Sequence, residues 1–561
     1  MNQVISLGTQ SFEKLRQNHS FYIDKTLLIQ EWWENQDDVT LIMRPRRFGK
    51  TLNLNMLDCF FSNQYAGRGD LFEGLAIWES EKYRQLQGTY PVISVSFATV
   101  KGDTYETARD EIVQIIINLY TQYYFLTQGD ALSPMEKAYF DYIKMDMSDS
   151  VVTMALHRLS ICLSHYYGKK VLIFLDEYDT PLQEAYVGGY WDKMVGFIRG
   201  MFNAAFKTNP YIERALLTGI TRISKESLFS DLNNLTVITT TSEGYNTRFG
   251  FTEEEVFHAL DFFGVPEEKE QVKAWYDGFT FGSRHDIYNP WSITGFLKEK
   301  RYKPYWANTS SNSLISVLIR GGKADIKITL EDLLDGKALI AEIDEEIVFN
   351  QLQGEVGAIW SLLLASGYLR VEEQTFDPEN GTFFYALKLT NKEVAIMFRN
   401  IIRKWFTGDS VPYNDFLKAM LQGDVKAMNQ YMNQVIKETF SSFDSGKKPS
   451  EEAQPERFYH GFVLGLMAEF KGRYRITSNR ESGFGRYDVM LEPMRAEDPA
   501  FVLEFKVHDR DDGASLADTV EAARKQIEEK AYDTELTARG VAKERIRHYG
   551  FAFEGKKVLI G

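Results

Sequence analysis

Cysteine is almost missing from this chain of 561 residues: Cys59 and Cys162 are the two it has. Two thiols exclude a disulfide framework and point to a reducing compartment. Long apolar runs are missing too. No stretch approaches the ~18 residues of a membrane span. The first residues, MNQVISLGTQSFEKLRQN, lack a charged start followed by an apolar run, so no secretory signal is read and a cytoplasmic location is expected. Positive charge is in deficit, with 64 Lys and Arg against 79 Asp and Glu, net −15. That excludes a positive coat for nucleic acid. A local basic channel stays open, because net charge does not report where charge sits. The length excludes a single core: at roughly 150 residues per domain, three to four domains are expected.

A further absence is local. The stretch LIMRPRRFGKTLNL (41–54) ends its loop in Gly49-Lys50-Thr51, as a phosphate-binding loop does, but Arg44 stands where such a loop opens on glycine. The context favours a nucleotide site. VTLIM (39–43) reads as a buried strand, and TLNLNMLDCFFSN as a helix with Leu52, Met56 and Phe60 on one face. In that setting Gly49 permits close backbone approach, Lys50 supplies charge to the outer phosphates and the Thr51 hydroxyl binds Mg²⁺. A second apolar run, VLIFLDEYD (171–179), ends in acids. Asp176 is placed to hold Mg²⁺ and Glu177 to orient the attacking water. Ligands of parallel sheets bind at the carboxyl ends of strands, where Thr51 and Asp176 both fall. The run ERALLTGIT (213–221) puts Thr218 where a hydroxyl senses the γ-phosphate. Arg222 reads equally as a transition-state cation or as a surface arginine paired with Glu226. Arg46 and Arg47 read as phosphate contacts, as braces for acids, or as a solvated turn.

Strands are also read at 90–98 and 235–241, and helices at about 104–127, 151–167 and 190–206. Apolar strands alternating with helices imply a parallel sheet covered on both faces. From 252 the pattern becomes helical, with Thr252 capping and Glu255 three residues on. FTFGSRHDIYNPWSI reads as a hairpin and turn, closing a small lid over 242–300. Residues 301–408 read as helix, two-stranded wing, helix: a winged-helix-like unit that binds DNA or serves as a spacer. A helical stretch over 409–456 ends in the polar linker SSFDSGKKPSEEAQPE, and a last domain follows over 457–561.

In that last domain GFGRYDVML (483–491) and FVLEFKV (501–507) read as neighbouring strands. Residues two apart in a strand face one side, so Glu504 and Lys506 point together, Phe505 points to the core, and Asp488 can meet them. Asp488 and Glu504 suit Mg²⁺ as hard oxygen ligands, with Lys506 positioning water or stabilising charge. A structural Glu–Lys pair on a sheet face is the plainer reading. Charges inside apolar strands cost free energy unless they are used or paired.

The motifs LIMRPRRFGKTLNLNML, LIFLDEYDTPL, LTGITRISKESLFSDLNNL and YDGFTFG…IYNPWSI resemble the AAA-ATPase-like family, in which Arg-Pro-Arg-Arg-Phe-Gly-Lys-Thr is the usual loop. FYIDKT (21–26) resembles it too, without a role for Asp24 or Lys25. GFGRYDV and EFK resemble the PD-(D/E)XK nuclease-like domain that such proteins often carry at the C-terminus. The resemblance implies an α/β protein: a P-loop NTPase sheet over 1–241, the lid, the winged-helix-like region and an α/β nuclease-like domain. It implies ATP and Mg²⁺ as cofactors and DNA or RNA as partner. Gln526 matches a supporting position of the nuclease centre, with Lys530 and Tyr532 as alternatives, and Glu469 or Glu481 as the earlier acid. Ring formation among relatives leaves a homo-oligomer open. The expected function is ATP hydrolysis coupled to a metal-dependent nuclease. The alternatives are a nucleotide switch whose nuclease-like domain binds without cutting and, with nothing to explain residues 301–561, a small-molecule kinase.

Overall fold

The computed structural model describes residues 3–221, 229, 232–307, 324–343, 356–406, 414–439, 473–482, 485–495, 498–508, 515–554 and 557–561. Arg222, Glu226, Glu469 and the linker stretch 441–456 fall outside them. The chain divides into two compact units, 1–314 with 338–395, and 315–337 with 396–561.

The first unit is built on five parallel strands: β1 (Val39–Met43), β2 (Val92–Ser96), β3 (Val171–Asp176), β4 (Ile212–Gly219) and β5 (Leu235–Ile238), in the order β2-β3-β4-β1-β5. Every residue of β1 and β3 is buried, as covering on both faces requires. The strand order matters for the site. β4 lies between β1, which feeds the glycine-lysine-threonine turn, and β3, which ends in Asp176. Three carboxyl ends therefore meet at one edge.

β6 (Phe251–Thr252) opens the helix Glu253–Phe262 with a full capping box, Thr252 and Glu255 satisfying each other's backbone N–H groups. β7 (Phe279–Phe281) and β8 (Arg284–Tyr288) form the hairpin, and Asn289 caps the helix Pro290–Glu299 through its side chain. Further on, β9 (Leu339–Glu342), β10 (Leu369–Asp377) and β11 (Thr382–Leu389) form an antiparallel sheet in the order β10-β11-β9, the order of a winged helix. The helix before the wing, Val356–Ala365, has no Lys or Arg and buries Ile359, Trp360, Leu362, Leu363 and Leu364. That is the composition of a core element.

The second unit holds a mixed sheet: β12 (Tyr474–Ser482), β13 (Gly485–Pro493), β14 (Ala500–Val507), β15 (Ile546–Glu554) and β16 (Lys557–Ile560), in sequence order. Only β14 and β15 run parallel, joined by the crossover helix Leu516–Glu529. One face, with Phe501, Leu503 and Phe505, packs on the helices Asn414–Gln422 and Val425–Thr439 through Phe416, Met420, Met428 and Met432. The other face, with Met490, Ala500 and Val502, packs on Ile527, Tyr532 and Leu536. Cys59 and Cys162 are buried and unpaired. Among the described residues no helix is long and apolar enough to cross a membrane.

Candidate functional site

The first site assembles at the carboxyl ends of β1, β4 and β3. Thr51, in the first turn of the helix Lys50–Phe61, donates its hydroxyl to one carboxylate oxygen of Asp176 at 2.6 Å. Thr218, on β4, donates to the other at 2.6 Å. Asp176 is 4% exposed, and burial raises its pKa against the two hydroxyls and the Lys50 charge, which lower it. A hydroxyl and a carboxylate in contact form a hard oxygen pair that fits Mg²⁺. The Lys50 ammonium donates to the carbonyls of Arg44 and Pro45 at 2.9 and 3.0 Å. Burial lowers its pKa, while the charges of Glu177, Asp176 and Asp179 oppose the shift. Gly49 caps the helix at φ +84°, a left-handed conformation in which a side chain would be strained. The N–H groups that follow open a helix and have no intrahelical acceptor, as an anion site requires.

Glu177 follows the strand at φ +52°, a conformation costing on the order of 1 kcal/mol for a residue with a side chain. It breaks β3 after Asp176, so the strand is three residues shorter than the apolar run suggests. Thr180 donates to its carboxylate at 3.3 Å. Asp179, to which the sequence assigned no role, is 1% exposed. One of its oxygens accepts from the N–H groups of Ile220 and Thr221, both at 2.9 Å, and from the Thr221 hydroxyl at 3.1 Å. It thereby fastens the turn after β3 to the end of β4 beside Thr218. Burial raises its pKa and those N–H groups lower it. The signal was present as the third acid of DEYD.

The loop arginines take separate roles. Arg44 is fully buried and turns away from the helix terminus. Its guanidinium donates to the carbonyls of Met43 at 2.9 Å and Thr239 at 2.6 Å, and lies 4.4 Å from the centre of the Phe281 ring. Burial lowers its pKa to about 9. It staples the strand end to the segment after β5. Arg47, at φ +65°, is exposed and lies 4.4 Å over the ring of Trp291. Arg46 is half-exposed, and its charge lowers the pKa of Lys50. Phe48 anchors the loop edge-on against Phe279 and Phe281. In FYIDKT, Lys25 is buried on Glu255 at 2.6 Å, and Asp24 accepts from the N–H groups of Thr26 and Ala76. Arg222 cannot be placed, lying outside the described residues.

The second site lies on the face of β14 under the helix Leu516–Glu529. Glu504, 3% exposed, and Lys506 share that face, while Phe505 enters the opposite core. Gln526 joins them. Its amide N–H donates to Glu504, its amide oxygen accepts from the Lys506 ammonium at 2.7 Å, and its N–H also reaches the Tyr532 hydroxyl at 3.3 Å. The helix approaches because Gly550 stands opposite Glu504 on β15, where a Cβ would meet the Val520 carbonyl at 2.6 Å. Asp488, on β13, accepts from the Phe505 N–H at 2.8 Å, which brings its carboxylate to the strand that carries Glu504. Two carboxylates on adjacent strands, one of them buried, are hard donors that fit Mg²⁺. Lys530 ends the helix, and the Glu481 side chain, on β12, lies outside the described residues. Elsewhere Glu253, Asp277 and Asp286 also converge, but Lys273 pairs with Glu253 and Asp286 and supplies that cluster's cation.

Comparison with known proteins agrees domain by domain. A family described as "Predicted AAA-ATPase" matches residues 6–229, and the "PD-(D/E)XK nuclease superfamily" matches residues 454–561. An "Uncharacterized protein in vnfD 5'region" of Azotobacter chroococcum mcd 1 is 26% identical over 380 residues, 65% of this chain and 64% of that relative, so a little under two thirds of its length is spanned. The Aeropyrum pernix ORC2 protein, solved as ADPNP-ADP complexes, aligns over 71% of this chain and 95% of its own at 11% identity, with a TM-score of 0.22, too low to carry an argument. Residues 6–229 thus belong to the AAA-ATPase-like family and residues 454–561 to the PD-(D/E)XK nuclease superfamily, joined in one chain.

Proposed function

We propose that the chain binds and hydrolyses ATP at the first site and cleaves nucleic acid at the second, with the nucleotide state gating or placing the nuclease. The observation that carries the reading is that each domain sets a buried carboxylate, Asp176 or Glu504, within one sheet's reach of a lysine and a polar side chain bonded to it.

At the first site Lys50 would release its loop carbonyls and take the outer phosphates, with Thr218 at the γ-phosphate and Glu177 orienting water for in-line attack. Mg²⁺ held by Thr51 and Asp176 would neutralise phosphate charge. Hydrogen bonds from Thr51 and Thr218 oppose the upward pull of burial on the Asp176 pKa and favour its carboxylate form. At the second site Asp488 and Glu504 would hold Mg²⁺, which polarises the phosphodiester. Lys506, oriented by Gln526, would position the attacking water. The acidic chain then meets nucleic acid through a metal-bearing cleft and not through a basic coat.

The test uses purified full-length protein with Mg²⁺ or Mn²⁺, mixed DNA and RNA substrates, and ATP. Lys50→Ala is expected to lose ATP binding and Glu504→Ala to lose cleavage. A wild type that binds nucleic acid, binds ATP and never cuts would leave the switch alternative standing.

A further inference from the structure

We propose that Trp291 and Arg47 form the wall against which the base of a bound purine nucleotide stacks. The inference rests on the nucleotide reading of the first site and adds where the base lies.

Trp291 stands in the first turn of the helix Pro290–Glu299 and is half-buried. The preceding residue, Asn289, is fully buried, and its amide donates to the Arg46 carbonyl at 3.3 Å. That bond ties the start of the helix to the loop, so the indole stands beside the residues that would hold phosphate. On one side the N-terminal segment closes in: a Cβ built on Gly8 would lie 3.6 and 3.7 Å from the six-membered ring of Trp291. Over the indole lies the guanidinium of Arg47, at 4.4 Å. Among the described residues Arg47 has no ion pair and no side-chain hydrogen bond. An exposed arginine is therefore held over an aromatic ring by that ring, on a backbone at φ +65° that a side chain rarely adopts.

A planar cation over an indole occupies the layer a heteroaromatic base would take. Arginine planes and aromatic rings are the two surfaces on which bases stack. The loop to which Asn289 ties the helix start would hold the phosphates of the same nucleotide. The pair serves a base.

The experiment measures binding of ATP, CTP and inorganic tripolyphosphate, each with Mg²⁺, to the full chain by calorimetry. The proteins are wild type, Trp291→Leu, Trp291→Phe and Arg47→Ala. Trp291→Leu is expected to weaken ATP roughly 10- to 100-fold, as loss of one base–aromatic stack does, and to erase the preference of ATP over CTP. Tripolyphosphate binding stays within about twofold of wild type, because the phosphate loop is untouched. Trp291→Phe keeps a ring and retains most of the ATP affinity. Arg47→Ala lowers the ratio of ATP to tripolyphosphate affinity. Unchanged ATP affinity in Trp291→Leu, or equal losses of ATP and tripolyphosphate, overturns the base wall and leaves the nucleotide reading intact. If Trp291→Leu fails to fold, Arg47→Ala decides: an unchanged ratio overturns the proposal. A wild type that binds neither ATP nor tripolyphosphate overturns the nucleotide reading itself.

Discussion

The two candidate centres bring together the same kinds of side chain on opposite plans. The first lies at the edge of a parallel sheet. Its residues come from the ends of different strands and the turns after them: Thr51 past β1, Asp176 ending β3, Thr218 near the end of β4. The second lies on the face of a mixed sheet. Glu504 and Lys506 come from the middle of one strand, with Gln526 from the helix above. An edge site depends on turns, and the molecule invests in holding them. Asp179 fastens one turn, Arg44 another, and Phe48 a third. A face site depends on how closely a helix can approach, and Gly550 sets that distance. The edge plan is therefore sensitive at residues that touch no substrate, and the face plan at its packing.

Separating the two plans starts with the strongest effect. Glu177→Gln is expected to keep ATP binding and to lose hydrolysis by about 100- to 10,000-fold, the usual contribution of a positioned base. Single-turnover hydrolysis beside equilibrium binding checks it, and equal losses in both would place Glu177 in the turn's structure and not in the chemistry. Arg44→Met removes the staple and the donors it gives the Met43 and Thr239 carbonyls. A loss of about 2–6 kcal/mol in the stability of the first unit is expected by denaturant unfolding, because losing a buried hydrogen-bond partner costs about 1–3 kcal/mol for each of the two carbonyls. A well-folded Arg44→Met protein that has lost ATP binding would instead make Arg44 a phosphate ligand. At the face site, Gln526→Leu should reduce cleavage about 10- to 100-fold, as loss of a partner that orients metal-site residues does. ATP hydrolysis should not change.

The smallest effect is one of pH. Glu393 is fully buried, accepting from the Ser292 hydroxyl at 2.8 Å and the Trp306 N–H at 2.5 Å, and burial raises its pKa to about 7 from 4.5. Between those values the folded state holds a proton that the unfolded chain has released. Stability from this group is complete below pH 4.5 and is lost as pH rises through 7, on the order of 1–3 kcal/mol. Glu393→Gln should flatten that fall, measured by unfolding at pH 5 and pH 7.5. A slope equal to wild type would show that other buried acids set it.

Legibility in the sequence followed the same division. Period-two alternation placed Glu504 and Lys506 on one face and Phe505 on the other, because strand geometry leaves no other arrangement. The apolar run at 39–43 and the Thr252 capping box were equally plain, since burial and capping have local signals. What could not be read came from contacts distant in sequence. Nothing local says that Arg44 turns inward to meet Thr239, 195 residues away, or that Asp179 meets Thr221. The apolar run through residue 179 read as one long strand. The positive φ of Glu177 ends it, a backbone choice made by the site and not by propensity. The wing-forming region read equally as DNA reader or spacer, and the burial of its helix, Val356–Ala365, was not announced by any local signal.

The central claim is that one chain joins a nucleotide site to a working nuclease. It is tested most directly by metal-dependent cleavage of mixed DNA and RNA, with and without ATP, in the wild type and in Lys50→Ala. The account predicts cleavage that requires divalent metal, changes with ATP in the wild type, and no longer responds to ATP in Lys50→Ala. Cleavage identical in both proteins under every nucleotide condition would contradict the coupling, and no cleavage by the wild type with any metal would contradict the nuclease.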